Sequence, residues 1–211
     1  MEAIDPYRKK PKQTRSGETI EVVFEATARI LQTQSFSEFN TNAVAKLAGI
    51  SIGTLYQYFP NKNAILVAMA RRELDKVSQK IIHSITAEYT ADPSMLAQVV
   101  VRALLKAFGG RQLARKVLIE ALIANGLSDE LSKPIERVVQ VIVDQQSQPG
   151  REQSINLSPI SLYVMSRALI GVIRSAVMEQ SSYLGTEGLE EELVRLFLYC
   201  MNHVKSPDIN G

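Results

Sequence analysis

The sequence contains a single cysteine, Cys200, and only two histidines, His83 and His203. One cysteine cannot close an intrachain disulfide, and in an apolar helical stretch it reads as a small buried hydrophobe rather than a redox group. Histidines so far from each other and from the cysteine leave no spacing suited to a transition metal. A phosphate-cradling glycine loop and a nucleophile elbow are also missing, and Gly109-Gly110 alone supplies neither. Neither an enzyme activity nor a cofactor or metal is expected. The N-terminus carries no apolar stretch of the kind that marks a secretory signal. The most apolar segment, residues 160–178, is interrupted by Arg167 and Arg174 and falls short of the ~20 uninterrupted apolar residues of a membrane span. The expectation is a cytoplasmic protein with no membrane partner.

What is present is enough for a folded core: 211 residues, 45% of them hydrophobic. Strand-like alternation, internal repeats and low-complexity tracts do not stand out, and the periodicity is helical, so the fold class is all-α. A formal net charge of +2 is too small to argue for nucleic acid by itself. Its distribution says more. Residues 1–72 hold ten Lys/Arg against six Asp/Glu, whereas residues 73–211 hold fourteen against sixteen. The basic portion is the one a phosphate-facing module requires.

Residues 1–15 read as a basic flexible arm carrying Arg8, Lys9, Lys10, Lys12 and Arg15. The arm either enters a minor groove, skims the backbone or is a solvated tail. A first helix is expected over 16–34, with Ile20, Val23, Phe24, Thr27, Ile30 and Leu31 on its buried face. Phe36 and Phe39 follow and can close a small core. Asn40 suits an N-cap, Gly49 a left-handed helix exit, and Ser51 the cap of a short third helix that Pro60 ends. Residues 41–62, TNAVAKLAGISIGTLYQYFPNK, thus form a helix-turn-helix, in which one helix braces a second that can lie in a major groove.

A fourth helix is expected from about 62 to 89, linking residues 16–62 to an all-helical remainder, 63–211. Its stripe is Ile65, Leu66, Met69, Leu74, Val77, Ile81 and Ile85. Further helices are expected over 93–108, 111–124, 132–146, 159–183 and 187–204. Ser158-Pro159 starts the penultimate one, as an N-cap followed by proline at the first helical position. Glu187, Glu190, Glu191 and Glu192 suit the N-terminus of the last.

The segment from Val23 to Met69 resembles the TetR-type family of one-component bacterial regulators. The likeness rests on Val23-Phe24…Ala26-Thr27…Ile30-Leu31, Val44-Ala45…Ala48-Gly49-Ile50-Ser51, Gly53-Thr54-Leu55-Tyr56 and Tyr58-Phe59-Pro60-Asn61-Lys62. Ser35 and Val44 depart from it, standing where glycine and isoleucine are usual. The resemblance implies an N-terminal DNA-binding domain, an all-helical effector-binding domain and a homodimer formed mainly by the last two helices.

Within the third helix, Gln57 is the candidate for direct base reading, because its amide can pair bidentately with adenine. Ile52 can touch thymine methyls, and Leu55 either does the same or packs inward. Tyr56 and Phe59 are expected in the core. Gly53 leaves room for close approach of backbone to DNA. Ser51, Thr54, Gln57 and Tyr58 offer hydrogen-bonding groups near or along one exposed face, and Tyr58 through its hydroxyl and Lys62 through its ammonium suit phosphate contacts. Thr41 and Asn42 either join that clamp or simply cap the second helix.

For dimerisation, Ala168, Gly171 and Ser175 form a small-residue stripe, with Leu193, Leu196 and Cys200 as an apolar face on the last helix. Burial inside a monomer is the alternative. An effector cavity is expected among Tyr89, Met95, Leu104, Phe108, Leu118, Leu122 and Met165, unless these are plain core. Arg167 and Arg174 either hold an anionic effector or pair with Glu120, Glu136 or Asp144. Together these readings describe a ligand-responsive repressor on a palindromic double-stranded operator, released by a small-molecule effector. The alternative is a constitutive or architectural DNA binder with a filled core.

Overall fold

The computed structural model describes residues 6–7, 14–33, 39–88, 90, 92–146 and 158–203. Among these residues the chain is helical without strands. The helices are α1 (Thr14–Thr33), α2 (Thr41–Ala48), α3 (Ile52–Tyr58), α4 (Lys62–Ala87), α5 (Pro93–Phe108), α6 (Gln112–Ala124), α7 (Lys133–Gln146), α8 (Pro159–Glu179) and α9 (Glu187–His203). A 3₁₀ turn, Ser128–Leu131, precedes α7. The all-α reading holds. Arg8, Lys9, Lys10, Lys12, Phe36, Tyr89 and the polar run 147–156 lie outside the described residues.

The chain divides into two compact units. The first comprises Met1–Glu73 and Arg111–Glu130; the second comprises Leu74–Gly110 and Leu131–Gly211. Helix α4 contributes its first part to one and the rest to the other.

In the first unit α1 packs on α2 and α6, and α2 on α3. The apolar face of α1 is buried as its periodicity requires, with Val23, Phe24, Ile30 and Leu31 in the core. Phe39, Val44, Leu55, Phe59, Ile65 and Leu66 complete that core. The Phe59 ring lies 5.8 Å from Phe24 and 5.4 Å from Tyr7. Tyr7 belongs to the segment expected to be an arm, and Arg15 lies within α1.

Residues 111–130 return to the first unit after α5, and an ion pair fastens each end. Gly110 and Arg111 both take positive φ, 69° and 28°, which turns the chain between α5 and α6. Glycine tolerates that backbone easily; arginine does not. The Arg111 guanidinium donates to both carboxylate oxygens of Glu25, at 2.9 and 2.8 Å. At the other end Arg71 donates to Glu130 at 3.1 Å. Elsewhere in the unit, Arg72 pairs with Glu21 and lies 5.0 Å from the Phe24 ring centroid.

In the second unit α5 packs on α9 and α8, α9 on α8, and α7 on α8. By length and composition alone α8 is apolar enough to cross a membrane, although 39% of its most apolar stretch is buried within the structure. Ser158 caps α8, accepting from the Ser161 backbone N–H at 3.2 Å, with Pro159 in its first turn. The helix ends at Glu179, four residues before the expected 183. Gln180 adopts a left-handed conformation; its N–H bonds to the Val177 carbonyl at 3.3 Å and the Ser181 N–H to that of Ala176 at 2.9 Å. That closes the last turn at a residue whose side chain gave no sign of a stop.

Hydrogen bonds from Arg111, helped by Arg29, hold the Glu25 carboxyl well below the usual carboxylate range, at about 2. A depressed folded-state pKa contributes stability that is full above the unfolded value, 4.5, and is lost as pH falls through about 2. Because the pair is half exposed, screening limits its worth to about 1 kcal/mol or less. Glu25→Gln should therefore lower stability by that amount near neutral pH. The difference from the parent protein should vanish as the pH is lowered from 4.5 towards 2, measured by denaturant unfolding. A difference that stays constant over that range would show that the Glu25 charge contributes nothing.

Candidate functional site

The helix-turn-helix is built from two capped helices and one glycine turn. Asn40 Oδ1 accepts from the Ala43 N–H at 2.9 Å and opens α2. At its other end Gly49 sits at φ 69°, ψ 28°. The Ile50 N–H then reaches the Ala45 carbonyl at 3.1 Å and the Gly49 N–H reaches Lys46 at 3.3 Å. This paired closure needs a left-handed residue, which explains the glycine. Ser51 Oγ accepts from the Thr54 N–H at 3.0 Å and starts α3. Asn61 Oδ1 accepts from the Ala64 N–H at 2.9 Å at the start of α4.

Helix α3 has only seven residues, and its faces divide cleanly. Leu55 and the following Phe59 are fully buried, so Leu55 packs inward rather than outward. Ile52, Gly53, Tyr56 and Gln57 are exposed, with Thr54 and Tyr58 half-buried. Tyr56 corrects the expectation of a core residue: it is 40% exposed and shares a 3.1 Å hydrogen bond with Thr41 across the two helices. Its signal was available, because it lies one turn after Ile52 on the same face. The Ser51 and Thr54 hydroxyls are mutually bonded at 2.8 Å. A Cβ on Gly53 would meet nothing nearer than Ser51 Oγ at 3.7 Å, so internal packing does not demand glycine there. Asn42, Ser51 and Lys62 are exposed, and Thr41 is half-buried. Of the nine expected contact residues, seven lie on α2 or α3, Ser51 caps α3, and Lys62 opens α4.

A second feature lies wholly in the second unit. An apolar cavity of about 60 Å³ opens among the later part of α4, α5, α7, α8 and α9. Leu104, Phe108 and Met165 line it, as expected. Leu118 and Leu122 do not: they are buried on α6, in the first unit. Met95 is 58% exposed. The residues that sequence reasoning missed include Val138, Ile142, Leu162, Leu169 and Phe197. Their apolar spacing on α7, α8 and α9 marked them as buried but not as cavity walls. Arg167 pairs with Glu136 at 3.6 Å and lies 5.0 Å from the Tyr163 ring, whereas Arg174 is exposed.

On the outside of α8, Ala168, Gly171 and Ser175 border an open depression of about 460 Å³, with Val172, Tyr183 and Leu189. Ile160, Tyr163, Val164 and Val172 are exposed on the same helix. Of the matching residues on α9, Leu193 is buried, while Leu196 and Cys200 are half-buried.

Residues 23–69 match the model of the bacterial regulatory proteins of the tetR family. The match takes in the second half of α1, all of α2 and α3, and the start of α4. It is similar to the HTH-type transcriptional regulator EthR of Mycolicibacterium smegmatis, 31% identical over 51% of this chain and 49% of that protein. It is also similar to the HTH-type transcriptional repressor KstR of Rhodococcus jostii, 28% identical over 58% and 66% of the respective chains. The chain thus spans about half the length of the first and about two thirds of the second. In fold it matches a TetR-family regulator of Mesorhizobium loti, with TM-score 0.69 and 15% identity over 90% of this chain and 98% of that one. It also matches Thermus thermophilus FadR in complex with lauroyl-CoA, with TM-score 0.59 and 19% identity over 91% and 98%. The tetR family is one of regulators, not of enzymes.

Substitution can test the two roles expected of Gln57 and Lys62, both exposed. Gln57→Ala should weaken binding to the preferred duplex by roughly 1–3 kcal/mol and relax preference at one base position. Lys62→Ala should weaken binding to all duplexes alike and reduce the salt slope by about one. Titrations against matched and scrambled duplexes over a salt series decide; equal losses on every sequence for both variants would remove Gln57 from base reading.

Proposed function

We propose that this chain is a ligand-responsive transcriptional repressor that binds a palindromic operator as a homodimer and leaves it when a small molecule occupies the second unit. One observation carries the reading: Ile52, Gly53, Tyr56 and Gln57 stand outward on a short helix whose Leu55 and Phe59 are buried, inside the tetR-matched segment. Gln57 reads adenine, Ile52 meets thymine methyls, and Gly53 lets the backbone approach. Thr41, Asn42, Ser51, Thr54, Tyr58 and Lys62 hold phosphates and fix the register. Residues 16–62 carry the DNA contacts, and 63–211, linker helix included, carry effector binding and dimerisation.

A single short reading helix sees only a few base pairs, and two-fold pairing supplies a second half-site. The exposed apolar residues of α8 and the neighbouring small-residue stripe support a second copy docking there. The cavity supports an effector, as does the lauroyl-CoA bound by the Thermus thermophilus neighbour. Repression follows the KstR relative. Helix α4, which runs from one unit into the other, is the lever. The effector must bind the off-operator conformation better than the DNA-bound one, or nothing shifts. Such a repressor works in the cytoplasm.

Selection of bound duplexes from a random pool by the purified protein, with light scattering for its mass, tests the DNA half. The expected result is an enriched palindrome and a dimer. Salt-sensitive retention without enrichment would favour an architectural binder instead, and no retention would end the DNA reading.

A further inference from the structure

We propose that the cavity of the second unit selects a neutral, hydrocarbon-rich molecule bearing a hydroxyl, an aliphatic alcohol in chemical class, and that Ser166 is the residue that selects it. The proposal deepens the effector-responsive reading above and rests on it for its regulatory meaning.

The argument begins with the walls. Residues such as Leu104, Val138, Ile142, Leu169 and Phe197 surround the space; among the described lining residues none is charged, and Ser166 brings the one polar side chain. A carboxylate or phosphate drawn into such a lining loses its water and gains no counter-ion. The nearest basic residue in sequence, Arg167, is turned to Glu136 and the Tyr163 ring. A ligand therefore gains from apolar burial and loses from any charge it carries inside.

Ser166 narrows the choice further. Its hydroxyl donates to the Tyr163 carbonyl at 3.0 Å, so the proton is already committed. The oxygen keeps its lone pairs and acts as an acceptor. A ligand O–H can donate to it with that bond intact, whereas a carboxylate or thioester carbonyl, both acceptors only, gains a donor only by breaking the bond to Tyr163. Pockets of this type take their affinity from apolar walls and their orientation from a few polar groups.

Size adds a consequence. The cavity, about 60 Å³, is smaller than the ~150 Å³ site that admits benzene in an engineered core. A short alkyl chain fits with little change, and a longer one has to part the helices around it. A ligand that must widen its site binds the widened conformation better, which is what a population shift needs.

The test uses the full chain with its six methionines labelled at the methyl carbon. Met165 lines the cavity, whereas Met69 belongs to the first unit, so their resonances locate the ligand. Near neutral pH, 1-hexanol should shift Met165 and leave Met69 in place. Hexanoate and hexanoyl-CoA should bind at least about tenfold more weakly, because each brings a charge or an unmatched acceptor. Ser166→Ala should weaken 1-hexanol about fivefold, the loss of one hydrogen bond, while binding of hexane stays unchanged. An unmoved Met165 with 1-hexanol, or hexanoate or its CoA thioester binding as tightly at the same methyl, overturns the proposal. Operator affinity is measured alongside. If 1-hexanol moves Met165 without changing that affinity, the ligand class stands and the effector-responsive reading falls.

Discussion

A helix of seven residues does not persist in water by itself, since isolated helices shorter than ~12–15 residues are marginal even with favourable sequences. The arrangement of the first unit follows from that constraint on α3. Leu55 and Phe59, one turn apart, are driven into a core made by α1, α2 and α4, and Phe59 is flanked by Tyr7 and Phe24. Once those two side chains are committed inward, helical geometry leaves Ile52, Gly53, Tyr56 and Gln57 no choice but the outer face. The Ser51 cap and the Gly49 turn set where α3 begins and how the chain approaches it. Stability and presentation of the outer face are therefore one problem with one solution.

The same unit recruits a segment distant in sequence. Residues 111–130 fold with α1 and α4, tied by Glu25–Arg111 at one end and Arg71–Glu130 at the other. Leu118 and Leu122 consequently serve the core beneath α1 and not the cavity. Nothing in their spacing distinguishes those fates. A leucine every fourth residue on a helix is buried in either case, and only the path of the chain says against what.

Among the described residues of the second unit the buried side chains are apolar apart from Ser78 and Ser161, and none is charged. Arg102 meets Glu190 at 2.6 Å, Arg137 meets Asp75 at 2.5 Å, and Arg167 meets Glu136 at 3.6 Å. Half-exposed pairs of this kind add little to stability. Among the described residues the cavity lining is Leu, Ile, Val, Phe, Met, Pro134 and Ser166, so its chemistry is that of hydrocarbon and one hydroxyl.

Local chemistry was legible in the chain itself. Asn40, Gly49, Ser51 and Ser158-Pro159 each announce a helix boundary through a hydrogen bond or a backbone angle that depends only on near neighbours, and the structure uses all four. The helical periodicity of α1 and α4, the spacing of the helix-turn-helix and the all-α class belong to the same short-range physics. What needed the tertiary structure was every decision among surfaces that look alike in sequence. It turned Tyr56 out to bond Thr41, and it stopped α8 at a left-handed Gln180. It also assigned α6 to the first unit and drew Val138, Ile142 and Phe197 around one cavity. The reason is that periodicity reports that a face is buried, while the partner that buries it is fixed by contacts between residues tens of positions apart.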